Sequence, residues 1–163
     1  MKKLFFAFIF VLASAVSANA QTISDNALGL RLGGASAFGA EVSYQRALVE
    51  NNRLELDLGW RNASDFDAFK ITGIYQWVWN IDGGFNWYAG PGAGIGSVND
   101  KRPTQYRGND GVFLFLAGDI GIEYNFDIPL LLSLDFRPEF GFNDYSVIDQ
   151  FSPDVALSLR YQF

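Results

Sequence analysis

The residues able to do chemistry fall at alternate positions inside apolar runs. Arg31, Arg53, Arg61, Lys70, Arg137 and Arg160 stand in this pattern, and so do Glu41, Glu55, Asp57, Asp119, Glu123, Asp135, Glu139 and Asp154. Successive side chains of a strand point to opposite faces, so these residues share one face with charges of the other sign. Carboxylates such as Asp57 and Asp135 are the right type for acid–base work, but a buried polar network uses the same types. The 163 residues include no His and no Cys. Imidazole ligands, thiolate metal sites, disulfides and His-dependent triads are thereby excluded. Gly92, Gly94 and Gly96 recur with period two and no helical pattern follows them, so a phosphate-cradling G-x-G-x-x-G turn is excluded too. No enzyme activity, metal or cofactor is expected. The net charge of −6 and pI near 4.5 argue against a nucleic-acid partner.

Strands must position these residues. Gly and aromatics are abundant, and segment after segment alternates. Leu28, Leu30 and Leu32 flank Arg31 in the first candidate, about residues 28–35. Ala40, Val42 and Tyr44 oppose Glu41, Ser43 and Gln45 in the second, about 38–46. Leu54, Leu56, Leu58 and Trp60 oppose Arg53, Glu55, Asp57 and Arg61 in the third. Phe69, Ile71, Tyr75, Trp77 and Trp79 oppose Lys70, Thr72 and Gln76 in the fourth, with Ile74 and Val78 interrupting the polar face. Phe85, Trp87 and Ile95 oppose Asn86, Tyr88 and the glycines in the fifth. Leu114, Leu116, Ile120 and Ile122 oppose Asp119 and Glu123 in the sixth. Leu132, Leu134 and Phe136 oppose Asp135, Arg137 and Glu139 in the seventh, and Val155, Leu157, Leu159, Tyr161 and Phe163 oppose Asp154 and Arg160 in the eighth. Inward Phe113 and Phe115 are expected to fill the room left by Gly92, Gly94 and Gly96. Pro138 predicts a bulge or an early end to regular pairing.

Connections differ in length on the two rims. Val49–Asn52, Asn80–Gly84 and Asp127–Pro129 read as tight turns. Asn62–Asp67, Ser97–Gly111 and Asn143–Pro153 read as longer polar loops, and Ser36-Ala37 as a short one. Residues 1–20 have the form of a secretory signal: Lys2 and Lys3, an apolar run to Ala13, then small residues up to Ala20. Residues 21–163 then make one all-β domain, an eight-stranded antiparallel up-and-down transmembrane barrel with both termini periplasmic.

Volume decides which face points inward. The interior of an eight-stranded barrel is just wide enough for side chains to fill. The apolar set includes Trp60, Trp77, Trp79, Trp87 and many Leu, too much bulk for that space, so it must face lipid. Aromatic placement agrees. Tyr44, Trp77, Trp79, Phe85, Trp87, Tyr124, Phe126, Tyr161 and Phe163 fall near the tight-turn rim, and Phe38, Trp60, Phe69 and Phe140 near the other, as two interfacial girdles would.

The chain ends Leu159-Arg160-Tyr161-Gln162-Phe163, apolar at every second position with a terminal Phe. That ending resembles the terminal-strand signature that the assembly machinery of Gram-negative outer membranes recognises. With the strand count, loop pattern and signal segment, the mature chain resembles small outer-membrane barrels of the OmpX/OmpA type, and Gly121–Phe126 through Leu132–Glu139 is similar to a subgroup of such barrels of unknown role. The inward charges, packed in so narrow an interior, are expected to plug the lumen as a polar core; the resemblance implies outer-membrane lipid and lipopolysaccharide as surroundings and a structural or surface-contact role. Lys101, Arg102, Tyr106 and Arg107 form a candidate loop for lipopolysaccharide phosphates. The surface partner is unknown. Passage or binding of a small apolar molecule through a partly open lumen is the alternative, and a soluble lipocalin-like carrier a further one.

Overall fold

The computed structural model describes residues 23–33, 39–49, 51–64, 66–102, 111–142 and 151–163. The proposed signal segment, Phe38, Tyr106 and Arg107 lie outside these residues. Eight strands follow in order: β1 (Asn26–Gly33), β2 (Ala40–Val49), β3 (Asn52–Asn62), β4 (Phe66–Asp82), β5 (Phe85–Asp100), β6 (Gly111–Asn125), β7 (Leu130–Gly141) and β8 (Phe151–Gln162). Each pairs antiparallel with its sequence neighbour, and β8 returns to pair with β1, closing a barrel. Closure gives every strand a neighbour on both sides, so the sheet has no free edge strand.

The strands are staggered. Stepping across the ladders, Leu30 meets Val42, then Leu58, Ile71, Ile95 and Leu114. Leu30 is in the middle of β1, whereas Leu114 is close to the start of β6 at the long-loop rim, so the path climbs as a tilted barrel requires. The wall is also uneven. β4, β5 and β6 hold 17, 16 and 15 residues against 8 in β1, so one side stands taller toward that rim.

Period-two alternation places the apolar set outside. Leu30, Leu114, Ile120, Leu157 and Tyr161 are each about half exposed, whereas Arg31, Arg53, Arg137 and Arg160 are buried inside the ring. Ile74 and Val78 point inward among the polar residues of β4. With Ala68, Val98, Phe113, Phe115 and Ala117, Ile74 forms a small apolar cluster on the β4–β6 side of the lumen. Built Cβ atoms at Gly94 and Gly96 would collide with the Phe115 and Phe113 rings. Gly92 differs from the expectation: it gives way to Ile74, which leans in from β4, and not to a ring of β6.

Several boundaries need correction. Asn62–Asp67 is not a long loop, because β3 runs to Asn62 and β4 starts at Phe66; alternation continues through residues whose polarity suggested a loop. β5 runs on to Asp100, shortening the next connection, and β8 begins at Phe151. The tight β4–β5 turn holds Gly83 at φ 50°, a left-handed conformation open to Gly. Register shifts occur beside the tight turns, between Ala47 and Val49 and between Asn80 and Asp82. Pro138 causes no bulge. Paired residues Ala117–Glu139 and Ile120–Phe136 keep one register on either side of it, and β7 continues to Gly141. Its effect is local: Gly118 and Asp119 are missing from the β6–β7 ladder, as expected where Pro supplies no N–H.

Candidate functional site

The site is the lumen. Strand parity sends five cations inward (Arg31, Arg53, Lys70, Arg137 and Arg160) together with nine carboxylates: Glu41, Glu55, Asp57, Asp100, Asp119, Glu123, Asp135, Glu139 and Asp154. All are buried. A charge removed from water at this depth needs a partner, and the strands are positioned to provide one.

Glu55 is the hub. Its Oε1 accepts from Arg137 Nη2 at 2.7 Å, and its Oε2 accepts from Gln45 Nε2 at 2.6 Å and Gln76 Nε2 at 3.2 Å. Arg160 Nη2 lies 3.1 Å from the same oxygen, while Arg160 also donates to Ser43 and Ser133 at 3.0 and 2.8 Å. Arg137 reaches further, from β7 across the axis to Asp57 on β3 at 2.7 Å, with Glu41 and Asp119 each at 3.7 Å. β7 and β3 are four strands apart in a ring of eight, on opposite walls.

Two further groups extend the network toward each rim. Arg31 binds Asp135, Asp154 at 2.8 Å and Glu41 at 3.2 Å, joining β1 to β7, β8 and β2. Lys70 bridges Glu41 and Glu139 at 2.9 Å each, and sits 5.7 Å from the centre of the Phe115 ring. Toward the tight-turn rim, Arg53 binds Glu123 at 2.7 Å and Gln76 at 2.6 Å, with its guanidinium 4.8 Å over the Tyr88 ring. Asn86 donates to Glu123 and accepts from Asn80, reaching the rim. The cavity there is about 20 Å³, room for one water, and is lined by Arg53, Glu123, Asn86, Gln45 and Leu131 among others. The surplus of carboxylates is visible in the bonding: Asp57 Oδ1 and Asp135 Oδ2 accept no hydrogen bond among the described residues.

Each of the five inward cations pairs with at least one carboxylate. None of the described acidic groups is arranged to hold a metal ion. Asp57 and Asp135 are held by different cations of the network, Arg137 and Arg31. Among the inward candidates, Arg61 does not join the lumen. It is exposed near the top of β3, with its guanidinium 5.5 Å from the Phe66 ring. Parity points it inward, but β1 and β2 are too short at that rim to enclose it. The same parity brings the neutral side chains Gln45, Gln76, Asn86, Ser43 and Ser133 inward, where they bridge the charged groups.

On the outside, Trp79 and Trp87 stack at 4.3 Å, and Tyr124 packs with Phe85 at 4.6 Å and Phe126 at 4.8 Å. Trp77 lies edge-on to Tyr75, Trp60 is exposed near the long-loop rim, and the Tyr44 hydroxyl donates to Asn26. Leu159 and Tyr161 face outward and pair with Leu30 and Leu28. Phe163 then exchanges backbone hydrogen bonds with Asn26, so the terminal residues seal the last seam. In the candidate contact loop, Lys101 binds Asp67 at 2.6 Å and Arg102 binds Asp100, so both described cations are engaged by the barrel itself.

No protein-family model and no curated protein matches the sequence. Solved structures do match the fold. The N-terminal β-barrel domain of Pseudomonas aeruginosa OprF superposes with a TM-score of 0.66 at 12% identity, covering 86% of this chain and 100% of that one. Neisserial surface protein A gives 0.58 at 14% identity, covering 85% and 94%. Ail, the attachment invasion locus protein of Yersinia pestis, gives 0.58 at 13% identity, covering 86% and 97%. The chain has the fold of the small eight-stranded outer-membrane barrels of the OmpX/OmpA type.

Proposed function

We propose that this chain is a non-enzymatic integral protein of the Gram-negative outer membrane, its lumen closed by its own side chains and its role structural or one of surface contact. The observation that carries this reading is the inversion of the barrel, with about half-exposed Leu, Ile and Phe outside and fully buried charge inside. Water would leave the outer wall uncovered, whereas acyl chains cover it; the girdle rings then sit at the two interfaces. A lipocalin-like carrier has the opposite arrangement. Passage of a small apolar molecule would require an apolar path along the axis, where Arg137, Glu55 and Asp57 meet.

In this reading the tight turns and both termini face the periplasm, and the longer connections face outward. The ending at Leu159, Tyr161 and Phe163 is what the barrel-assembly machinery would read. Outer-membrane lipid and lipopolysaccharide form the surroundings. A surface-contact role takes support from the Yersinia protein of the same fold, which has been solved with the heparin analogue sucrose octasulfate. The structural role is favoured by Lys101 and Arg102, whose charges are already met by Asp67 and Asp100. Purified protein in planar bilayers tests the closed lumen: no steady current is expected, and a stable ohmic conductance would overturn it.

A further inference from the structure

Arg46 stands on the lipid face of β2, exposed, opposite Asn26 at the start of β1 and therefore at the tight-turn rim. Its neighbours on that wall are apolar, with Leu28 and Leu48 each about half exposed. It forms no ion pair among the described residues, unlike the lumen arginines. Its position is nevertheless fixed. Arg46 Nη1 donates to Asn26 Oδ1 at 2.8 Å, and the Tyr44 hydroxyl donates to the same oxygen at 2.7 Å. Asn26 is itself held by the backbone of Phe163, so the barrel's closing seam supports the constellation. One of the five guanidinium donors is used, leaving the others for an anion.

The rest of this rim shows what is unusual here. On β4, β5, β6 and β8 the girdle consists of rings, Trp77, Trp79, Phe85, Trp87, Tyr124, Phe126, Tyr161 and Phe163, while β7 carries Leu130 and Leu132 there. On β1–β3 only Tyr44 supplies one, and a fixed cation takes the interfacial place. A guanidinium at the boundary between acyl chains and headgroups matches a phosphate diester, which accepts two parallel hydrogen bonds. We propose that Arg46, positioned by Asn26 and Tyr44, binds the phosphate of an anionic phospholipid in the periplasmic leaflet. This inference rests on the outer-membrane reading above.

The test uses the full chain folded in detergent micelles. Native mass spectrometry counts phosphatidylglycerol retained against diacylglycerol of the same acyl chains. Wild type should prefer phosphatidylglycerol about fivefold, the value of one cation near an anionic surface. Arg46→Gln should erase the preference and Arg46→Lys should retain most of it. Asp25→Asn, which removes the neighbouring rim carboxylate, should leave it intact or raise it. Heat-modifiable gel mobility checks that each variant is folded. An unchanged preference in folded Arg46→Gln, or none in wild type, overturns the site, as does displacement of the lipid by inorganic phosphate at equal concentration. If the chain needs detergent and shows heat-modifiable mobility but has no preference, only this site fails. If it is monodisperse without detergent, the outer-membrane reading fails with it.

Discussion

Arg137 and Asp57 meet at 2.7 Å although their strands, β7 and β3, form opposite walls of the barrel. The guanidinium also holds Glu55, so one side chain crosses the axis and pairs with two carboxylates from the far wall. Arg137→Met should leave both carboxylates buried with less compensation and destabilise the barrel by about 3–5 kcal/mol. Adding Asp57→Asn should recover part of that loss. Urea unfolding of the folded protein in lipid measures both, and a neutral Arg137→Met would remove the strut from the account.

The outer wall makes the opposite demand. Ile120 is 50% exposed in the middle of β6, between outward Gly118 and Ile122. In a water-soluble protein, Ile120→Arg would cost little. In a bilayer it should cost about 2–4 kcal/mol. The same unfolding assay distinguishes these cases.

Gly94 and Phe115 face each other in register across β5 and β6, and a Cβ at Gly94 would enter the ring. Gly94→Ala should destabilise by about 1–3 kcal/mol. Phe115→Leu in the same chain should restore much of this, because the obstacle is a side chain. Gly29→Ala meets the Leu159 carbonyl, and no side-chain change should rescue it. Recovery of folded yield, read on gels as the heat-modifiable band, reports both results.

The surface pair Lys101–Asp67 is exposed on both sides, 2.6 Å apart. Such pairs contribute at most about 1 kcal/mol and are weakened by salt. Lys101→Ala should therefore change unfolding stability by less than that, with the difference shrinking further at high ionic strength.

The fold was legible because alternation is a local property. Arg31 between Leu30 and Leu32, or Glu55 between Leu54 and Leu56, declares its face without knowledge of the rest of the chain. Ile74 and Val78 could be recognised as interruptions for the same reason. Pairing across the lumen was not legible. Which acid meets Arg137 depends on stagger accumulated over several ladders, and no local pattern encodes it. Arg61 shows the limit of parity, which gives a direction but not whether a wall stands opposite. Asn62–Asp67 shows the limit of composition, since polar residues at a rim continue a strand as readily as they form a loop.

All four tryptophans, Trp60, Trp77, Trp79 and Trp87, lie on the outer wall near its two ends. Fluorescence quenching by brominated phospholipids therefore tests the inverted barrel most directly. Strong quenching is expected, greater with bromine near the headgroup than near the acyl-chain end. Tryptophans that stay bright in brominated bilayers, in a chain that remains monodisperse in plain buffer, would contradict it.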